Sequence, residues 1–358
     1  MSGGLGAGVD GEPGGGLRAR HVLRPHELVP GARVVLRHRR DDGSAADALG
    51  ELLAADSERL VVRTRRGEVT VRRADLLAGK AVPPPPAPRA PRRSRAAPHE
   101  AVGVEELELV AAAHWRPHEV ERLGGWRLRA AGGFTGRANS ALALGSPGVP
   151  LHEAVAAVEA FYARRGLPAR VAVPHAAGTA PDGPDAPEVA RELAALGWAV
   201  DTPTLVLTAA VDDLPGPGEV PLPAGCSVVS TAEPDEQWLA GYHHRGGPAV
   251  PPAGLRVLAS ADAQVFARVV EDGAVVAVAR GSLGAGWLGV SAVEVAPSHR
   301  RRGLARRLLA EVAGSGRAHR AVSAFLQVAA EDAGARALYE GAGFGVHHAY
   351  HYRVRPGP

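Results

Sequence analysis

A stretch near the C-terminal end, residues 293–309, carries the residue types of an anion-binding site. It reads Val-Glu-Val-Ala-Pro-Ser-His-Arg-Arg-Arg-Gly-Leu-Ala-Arg-Arg-Leu-Leu, which is an apolar strand, a turn, a basic loop and the start of an amphipathic helix. A helix N-terminus presents unpaired N–H groups and partial positive charge. Gly303 lets the backbone approach a ligand closely, and Arg300, Arg301 and Arg302 add forked donors that suit phosphate. The stretch therefore predicts a phosphate-binding loop.

The loop needs a strand before it and a helix after it, and residues 222–358 predict a domain that supplies both. Glu271-Asp272-Gly273 is a strong hairpin signal between two of its strands. The predicted strands are 227–230, 264–270, 274–280, 287–295, 324–328 and 350–354, and the predicted helices are 233–242, 301–313 and 333–340. Strands mixed with helices indicate an α+β or mixed α/β domain.

A second domain is predicted upstream, at 101–215. Its predicted helices are 104–115, 151–165 and 187–196, and its predicted strands are 125–129, 141–144, 169–173 and 204–208. In both domains a helix is followed by glycine, an aromatic residue and a return strand, at 196–200 and 342–346, which we interpret as a weak internal repeat. The middle domain has no counterpart of the basic loop at 300–305, so we expect one phosphate site per chain.

The N-terminal part of the chain predicts three segments. Residues 1–21 are Gly-rich and predict a disordered leader, and residues 83–100 are a Pro- and Arg-rich linker. Between them, 22–82 predicts a small antiparallel β-barrel that resembles SH3-like and Tudor-like domains. Its predicted strands are 33–37, 49–53, 59–64 and 68–71. The arginines of these strands form either a face for nucleic acid or an acidic partner, or the solvated side of half-buried strands.

Two sequence blocks resemble the GNAT N-acetyltransferase superfamily. The first matches that family's (Arg/Gln)-x-x-Gly-x-(Gly/Ala) acyl-CoA loop and consists of Arg300, Gly303 and Ala305. The second is similar to its Asn-x-x-Ala-x-x-Leu-Tyr-x-x-x-Gly-Phe pattern and consists of Asp332, Ala335, Leu338, Tyr339, Gly343 and Phe344. The whole layout resembles actinobacterial members that have an SH3/Tudor-like domain in front and a degenerate GNAT-like domain in the middle.

The resemblance implies a GNAT fold for 222–358, acetyl-CoA as co-substrate and no metal. The cofactor-binding residues that it implies are Val293, Val295, Arg300, Arg301, Arg302, Gly303, Leu304, Ala305 and Arg306. It also implies that the N–H of Val295 polarises the thioester carbonyl, and that Tyr339 protonates the leaving thiolate. Asp332 stands where the family usually has Asn, and we expect it to cap the helix that follows.

The implied reaction is direct attack of a neutral amine on the thioester, so a lysine-like acceptor needs a base. Glu294 is the nearest carboxylate in sequence and is the candidate, acting directly or through water. A solvent-facing position or an ion pair at the sheet edge is the open alternative. Because side chains alternate along a strand, Glu294 and Val295 face opposite sides unless a bulge intervenes.

Composition and charge bound the function further. The formal net charge is +3, and Lys80 is the only lysine, which favours an arginine-rich coding bias over a nucleic-acid footprint. The histidines at 243, 244, 347, 348 and 351 lack metal-ligand spacing. The chain has neither an apolar stretch of about 18 residues nor a signal peptide, so we expect a cytoplasmic protein without membrane contact.

Two hypotheses follow from the sequence. The first is an N-acetyltransferase that acts on a protein or small-molecule amine. The second is a non-catalytic acyl-CoA sensor or scaffold that binds protein or nucleic acid. In either case the N-terminal barrel and the basic linker are the expected contact for such a partner, by analogy of fold alone.

Overall fold

The computed structural model describes residues 28–65, 67–82, 98–243 and 249–355. The predicted leader at 1–21 and the linker residues 83–97 lie outside the described residues. The described residues form two compact units, one ending at residue 82 and one beginning at residue 98, and each is presented by itself.

The N-terminal unit is a five-stranded antiparallel sheet. Its strands are β1 Arg33–Arg39, β2 Ala45–Ala55, β3 Arg59–Thr64, β4 Gly67–Arg72 and β5 Leu76–Ala81. The strand order is β4-β3-β2-β1-β5, so β5 returns to pair with β1. Alternate side chains point inward and form a core that includes Val34, Leu36, Leu52, Leu60 and Val62. The prediction of a small β domain is confirmed, and β5 is a strand that the sequence pattern did not indicate.

Several arginines of this unit are paired with acidic side chains. The Arg72 Nε lies 2.6 Å from Asp75 Oδ2, and the Arg63 Nη1 lies 3.5 Å from Glu51 Oε2. Both arginine side chains remain mostly exposed. These ion pairs favour the interpretation that Arg63 and Arg72 lie on the solvated side of half-buried strands. Binding of a protein or nucleic acid by this unit stays a prediction.

Gly50 lies where the backbone of β3 comes close to β2. A Cβ at this position would lie 2.0 Å from the backbone oxygen of Arg63. We therefore expect Gly50→Ala to destabilise the N-terminal unit by more than about 3 kcal/mol, measured by chemical denaturation. Gly43→Ala is the control, because Gly43 has a positive φ of 82° but open space around it, so backbone strain of about 1 kcal/mol is its expected cost. Equal unfolding free energies for the two variants would contradict the close approach.

The second unit contains eleven strands and eight helices within its described residues. The strands are β6 Glu119–Leu123, β7 Trp126–Ala130, β8 Ala141–Leu142, β9 Arg170–Ala176, β10 Ala199–Ala210, β11 Cys226–Thr231, β12 Ala263–Glu271, β13 Ala274–Gly284, β14 Trp287–Val295, β15 Ser323–Ala329 and β16 Gly345–Val354. The helices are α1 Pro98–Ala101, α2 Val104–His114, α3 Leu151–Ala163, α4 Glu188–Ala195, α5 Glu236–Ala240, α6 Pro252–Leu258, α7 Leu304–Ala318 and α8 Ala333–Glu340. The predicted α+β class is confirmed.

One sheet runs through the second unit, in the order β11-β12-β13-β14-β15-β10-β16-β9-β8-β7-β6. The pairs β14–β15 and β8–β9 are parallel, and the other pairs are antiparallel. Strand β10 of the middle region lies between β15 and β16, and β16 in turn lies between β10 and β9. Each half of the unit thus places its last strand in the sheet of the other half, and the ranges predicted as domains, 101–215 and 222–358, share one sheet.

The two halves repeat the same local structure before their last strands. Gly197 and Gly343 both have positive φ, 80° and 106°, and each follows the end of a helix within a short turn. Trp198 and Phe344 come next, and both are buried. Strands β10 and β16 then run antiparallel to each other, with Ala199 opposite Val354 and Thr208 opposite Gly345. This geometry supports the internal repeat seen in the sequence.

Each half buries its own hydrophobic core. In the C-terminal half, α7 packs on β12, β13 and β14 with Leu304, Leu308 and Val312 buried. In the middle half, α3 and α4 bury Val158 and Leu193. Across the described ranges, no helix combines the length and apolar character that a membrane crossing requires.

Candidate active site

Strands β14 and β15 separate at the centre of the sheet. They pair in parallel from Trp287 opposite Ser323 to Val290 opposite Leu326, and not beyond. Strand β15 stays paired with β10 as far as Ala329, so it is the end of β14 that diverges. The divergence opens a cleft with backbone edges on both sides.

A bulge in β14 determines which of its residues face this cleft. Ala292 has φ 52°, and the register with β13 shifts by one residue there. Beyond the bulge, the Ala296 N–H donates to the Val276 carbonyl at 2.9 Å. Bonded and non-bonded residues alternate in an antiparallel ladder, so the neighbouring Val295 directs its N–H and C=O away from β13, to the open edge. This orientation is the one that the family resemblance implied for Val295.

The basic loop forms the N-terminus of α7. Pro297–His299 is a turn of 3₁₀-helix, Arg301 has φ 60°, and Gly303 is the N-cap of α7 with φ 81° and no side-chain cap. The first-turn N–H groups of α7 therefore have no intrahelical acceptor. These groups border a cavity of about 630 Å³, which we call the loop-side cavity. It is also lined by Val293, Val295, Arg300, Arg301, Leu304, Ala305 and Arg306.

The side chain of Arg302 points elsewhere. It makes two hydrogen bonds to Glu271 at the end of β12, Nη1 to Oε2 at 2.8 Å and Nη2 to Oε1 at 2.5 Å. His299 Nε2 lies 2.9 Å from the same carboxylate. Of the predicted cofactor-binding residues, Arg302 is the one that does not line the cavity. Its guanidinium instead connects the loop to the β12–β13 hairpin through these two hydrogen bonds, an arrangement that we call the Arg302–Glu271 clamp.

This clamp predicts an acid-dependent stability. Hydrogen bonds from Arg302 lower the pKa of Glu271 to about 2, against about 4.3 in an unfolded chain. A depressed carboxyl pKa contributes stability that is fully present above the unfolded pKa and is lost as pH falls through the folded one. We therefore expect Glu271→Gln to lower the melting temperature by a constant amount above about pH 5, with the difference from wild type shrinking toward pH 2.

Melting curves between neutral and acid pH measure this effect. Glu331→Gln is the matched control, because Glu331 is exposed and makes no side-chain bond within the described part of the chain. A difference between Glu271→Gln and wild type that stayed constant into strong acid would contradict the clamp.

Tyr339 lies on α8 and lines the loop-side cavity together with residues of the basic loop. Asp332 caps this helix by accepting the Ala335 N–H at 2.9 Å, which confirms the predicted capping role. The Tyr339 ring is buried edge-on against Phe344, with ring centroids 6.1 Å apart. Burial raises the pKa of Tyr339 above its ordinary value of 10, and the negative charge of Asp332 adds to the shift. The phenol is therefore held in its protonated form.

A second cavity, of about 360 Å³, meets the first at the cleft. The wall that both share consists of Val293, Glu294, Asp332, Ala335 and Tyr339. Both predicted catalytic residues thus lie between the two cavities. This placement is what a reaction between two separately bound molecules requires.

Glu294 is held at this junction by backbone and side-chain contacts. Its Oε2 accepts the His243 N–H at 2.9 Å, and its Oε1 lies 3.5 Å from His243 Nδ1. The side chain is 29% exposed. Beyond the bulge at Ala292 the register with β13 is regular, with Glu294 opposite Val278 and Val295 opposite Ala277, so the two side chains face opposite sides of the sheet. Glu294 lines both cavities, whereas Val295 lines only the loop-side cavity and packs against the core of the C-terminal half.

The second cavity contains residues that the sequence analysis did not single out as functional. Those from the middle half of the unit are Trp115, Thr135, Gly136, Arg137, Arg170, Thr202 and Thr204. Tyr350 and Tyr352 on β16 also line this cavity. The available signal was the Gly136-Arg137-Ala138-Asn139-Ser140 loop, a polar run between two apolar strands. No cluster of three or more His, Cys, Asp or Glu side chains with metal-binding geometry occurs in the ranges that the structure covers.

Comparisons with known proteins agree with this geometry. The family profile "Probable histone acetyltransferase Rv0428c C-terminal" matches residues 102–353, and "Rv0428c N-terminal Sm-like domain" matches residues 28–80. The probable histone acetyltransferase Rv0428c of Mycobacterium tuberculosis is 29% identical over 337 residues, which are 91% of this chain and 95% of that protein.

A solved structure supports the same fold. The GCN5-related N-acetyltransferase from Kribbella flavida superposes with a TM-score of 0.53 at 19% identity, covering 71% of this chain and 96% of that one. The predicted GNAT fold is confirmed. The matching profile describes the small N-terminal domain as Sm-like, where the strand pattern had indicated an SH3-like or Tudor-like barrel.

Proposed function

The chain belongs to the family of the probable histone acetyltransferase Rv0428c, and from this membership and the site geometry we propose that it is an acetyl-CoA-dependent N-acetyltransferase. The acetyl group passes directly to a primary amine while both molecules are bound. The observation that carries the proposal is the shared wall of the two cavities, with Glu294 and Tyr339 on it.

The loop-side cavity fits acetyl-CoA. The positive φ of Gly303 leaves the start of α7 open, and the first-turn N–H groups suit a pyrophosphate. Arg300, Arg301 and Arg306 border the same cavity and add positive charge. The bound thioester supplies the activated acetyl group.

The residues at the cleft divide the chemistry among them. The Val295 N–H, which faces the open edge, stabilises the negative charge that develops on the thioester oxygen. Glu294 accepts a proton from the attacking amine, directly or through water. A C–N bond forms, the C–S bond breaks, and Tyr339 donates its proton to the leaving thiolate. Proton transfer from Glu294 then restores Tyr339.

The site geometry favours an enzyme over an acyl-CoA sensor. A sensor needs the loop-side cavity alone. Here a second cavity opens onto the transfer point, and a protonated Tyr339 lies between the two. The name of the relative, a probable histone acetyltransferase, makes basic proteins one class of acceptor to test.

The test is release of free thiol from acetyl-CoA by the full-length chain across a broad panel of amines and basic proteins. Mass spectrometry of the products identifies the acetylated molecule. Binding of acetyl-CoA without amine-dependent thiol release from any member of the panel would refute the proposal and favour the sensor.

A further inference from the structure

Two guanidinium groups lie against the indole of Trp115, which lines the second cavity. The Cζ atoms of Arg137 and Arg280 are 5.2 Å and 5.1 Å from the ring centroid of Trp115. Trp115 is buried and is fixed by its Nε1, which donates to Thr135 Oγ1 at 3.0 Å. Two positive charges are thus held near each other on a rigid support.

Arg280 supplies a permanent buried charge. It is fully buried and donates to three neutral acceptors: the Leu258 carbonyl at 2.7 Å, the His114 carbonyl at 3.1 Å and Ser291 Oγ at 3.2 Å. No carboxylate bonds to it among the described residues. Burial, with a further contribution from the nearby Arg137, lowers the pKa of Arg280 to about 9, so it remains charged at neutral pH.

Arg137 has no counter-ion among the residues that the structure describes. Its guanidinium makes no hydrogen bond or ion pair to any residue that the structure describes, and its Nε is buried without an acceptor. Its loop is nevertheless well ordered by contacts. Asn139 accepts the Ala131 N–H at 2.8 Å and donates to the Thr135 carbonyl at 2.8 Å. The unpaired charge is therefore a built feature of the cavity.

Arg170 adds a second cation that lines the cavity. Its Nη2 lies 3.0 Å from Asp201 Oδ2, its Cζ lies 5.0 Å from the ring centroid of Tyr352, and its Nε is buried without an acceptor. Glu294 and Asp332, the carboxylates that line the cavity, both lie on the wall shared with the acetyl-CoA side. The cavity is therefore acidic where acetyl transfer occurs and basic elsewhere.

We propose that the acetyl acceptor is a small amine that also carries a carboxylate, with its amine near Glu294 and its carboxylate on Arg137. This inference rests on the proposed acetyltransferase function. A guanidinium binds a carboxylate through two parallel hydrogen bonds, and the acceptor supplies the counter-ion that Arg137 lacks. The cavity volume of about 360 Å³ suits a molecule of amino-acid size. A lysine-rich tail would instead bring further positive charge toward Arg137 and Arg170.

The experiment compares matched acceptors with the full-length chain and acetyl-CoA. Amino acids and ω-amino acids are each paired with the amine that lacks the carboxylate, for example 4-aminobutyrate with butylamine and lysine with cadaverine. We expect kcat/KM to be about 10- to 100-fold higher for the carboxylate-bearing member of a productive pair.

Substitutions at Arg137 test the assignment directly. Arg137→Gln is expected to remove the preference while leaving KM for acetyl-CoA unchanged. Arg137→Glu is expected to reverse it in favour of diamines, which a merely structural role would not produce. Arg122→Gln, the same change at an exposed arginine of β6, is the control and should leave the preference intact.

A binding measurement separates this inference from the proposed function. Calorimetric titration with the same amino-carboxylates needs no turnover, and it should detect binding to the wild type that Arg137→Gln abolishes. Binding of this kind without thiol release would sustain the carboxylate site at Arg137 and refute the transferase, and with it the role of the bound molecule as acetyl acceptor. Turnover with equal kcat/KM for both members of every pair, a preference for lysine-rich peptides, or absence of carboxylate binding in titration would overturn the inference.

Discussion

Tyr339→Phe is expected to lower kcat by about a hundredfold while leaving KM for acetyl-CoA nearly unchanged, since a positioned proton donor contributes about 10² to 10⁴ in rate. The phenol faces the wall between the two cavities, and burial keeps it protonated. Without it, the thiolate must leave unprotonated or take a proton from water. Steady-state kinetics by thiol release measure the effect.

Stability should be almost unaffected by this change. The Tyr339 hydroxyl makes no hydrogen bond to the residues that the structure describes, so its removal leaves no buried partner unsatisfied. Tyr162→Phe is a control with the opposite pattern, because the Tyr162 hydroxyl donates to the Arg129 carbonyl at 2.9 Å and lies outside both cavities. That variant should melt earlier and retain its kcat. A Tyr339→Phe enzyme with normal kcat would exclude Tyr339 as the acid.

The loop and α8 were predictable because their signals are local. A strand, a basic turn with Gly303, and a helix are contiguous in sequence, and each glycine or cap acts within a few residues. The capping role of Asp332 followed from the same short-range chemistry. The family resemblance then assigned Tyr339 the role of proton donor to the leaving thiolate, and the structure puts its side chain on the shared wall.

The second cavity was not predictable from the sequence because its lining comes from distant parts of the chain. Arg137 and Ser291 line the same cavity because the two halves of the unit share one sheet. That sheet depends on β10 lying between β15 and β16, a pairing that no periodicity specifies. The side of β14 that each residue faces depended in turn on the bulge at Ala292, whose positive φ falls on a residue that gives no sequence signal for it.

Arg302 shows that a sequence motif does not assign the role of each residue within it. Residues 300–302 are all arginine, and the sequence predicted all three as cofactor-binding residues. Their roles differ because the turn through Arg301, at φ 60°, sends Arg302 toward Glu271 on β12. Glu271 precedes Arg302 by 31 positions, so the loop sequence alone cannot distinguish a phosphate ligand from an anchor of the loop.

Ala305→Glu is expected to weaken acetyl-CoA binding by about a hundredfold without loss of stability. Ala305 is in the first turn of α7 and borders the loop-side cavity. A carboxylate at this position interacts favourably with the helix dipole, by about 0.5 kcal/mol, and repels phosphates that would occupy the same N-terminus. Folding and cofactor affinity should therefore change in opposite directions, which calorimetric titration and thermal melting would show.

Ala305→Gln is the control for size, because it has nearly the same volume as glutamate without the charge. If the first turn of α7 binds an anion, Gln should weaken acetyl-CoA binding much less than Glu, and added salt should narrow the gap between the two by screening the repulsion. Equal loss in both variants, independent of salt, would mean that the side chain merely fills the cavity. The pyrophosphate would then have to lie away from the N-terminus of α7, on Arg300 and Arg306 alone.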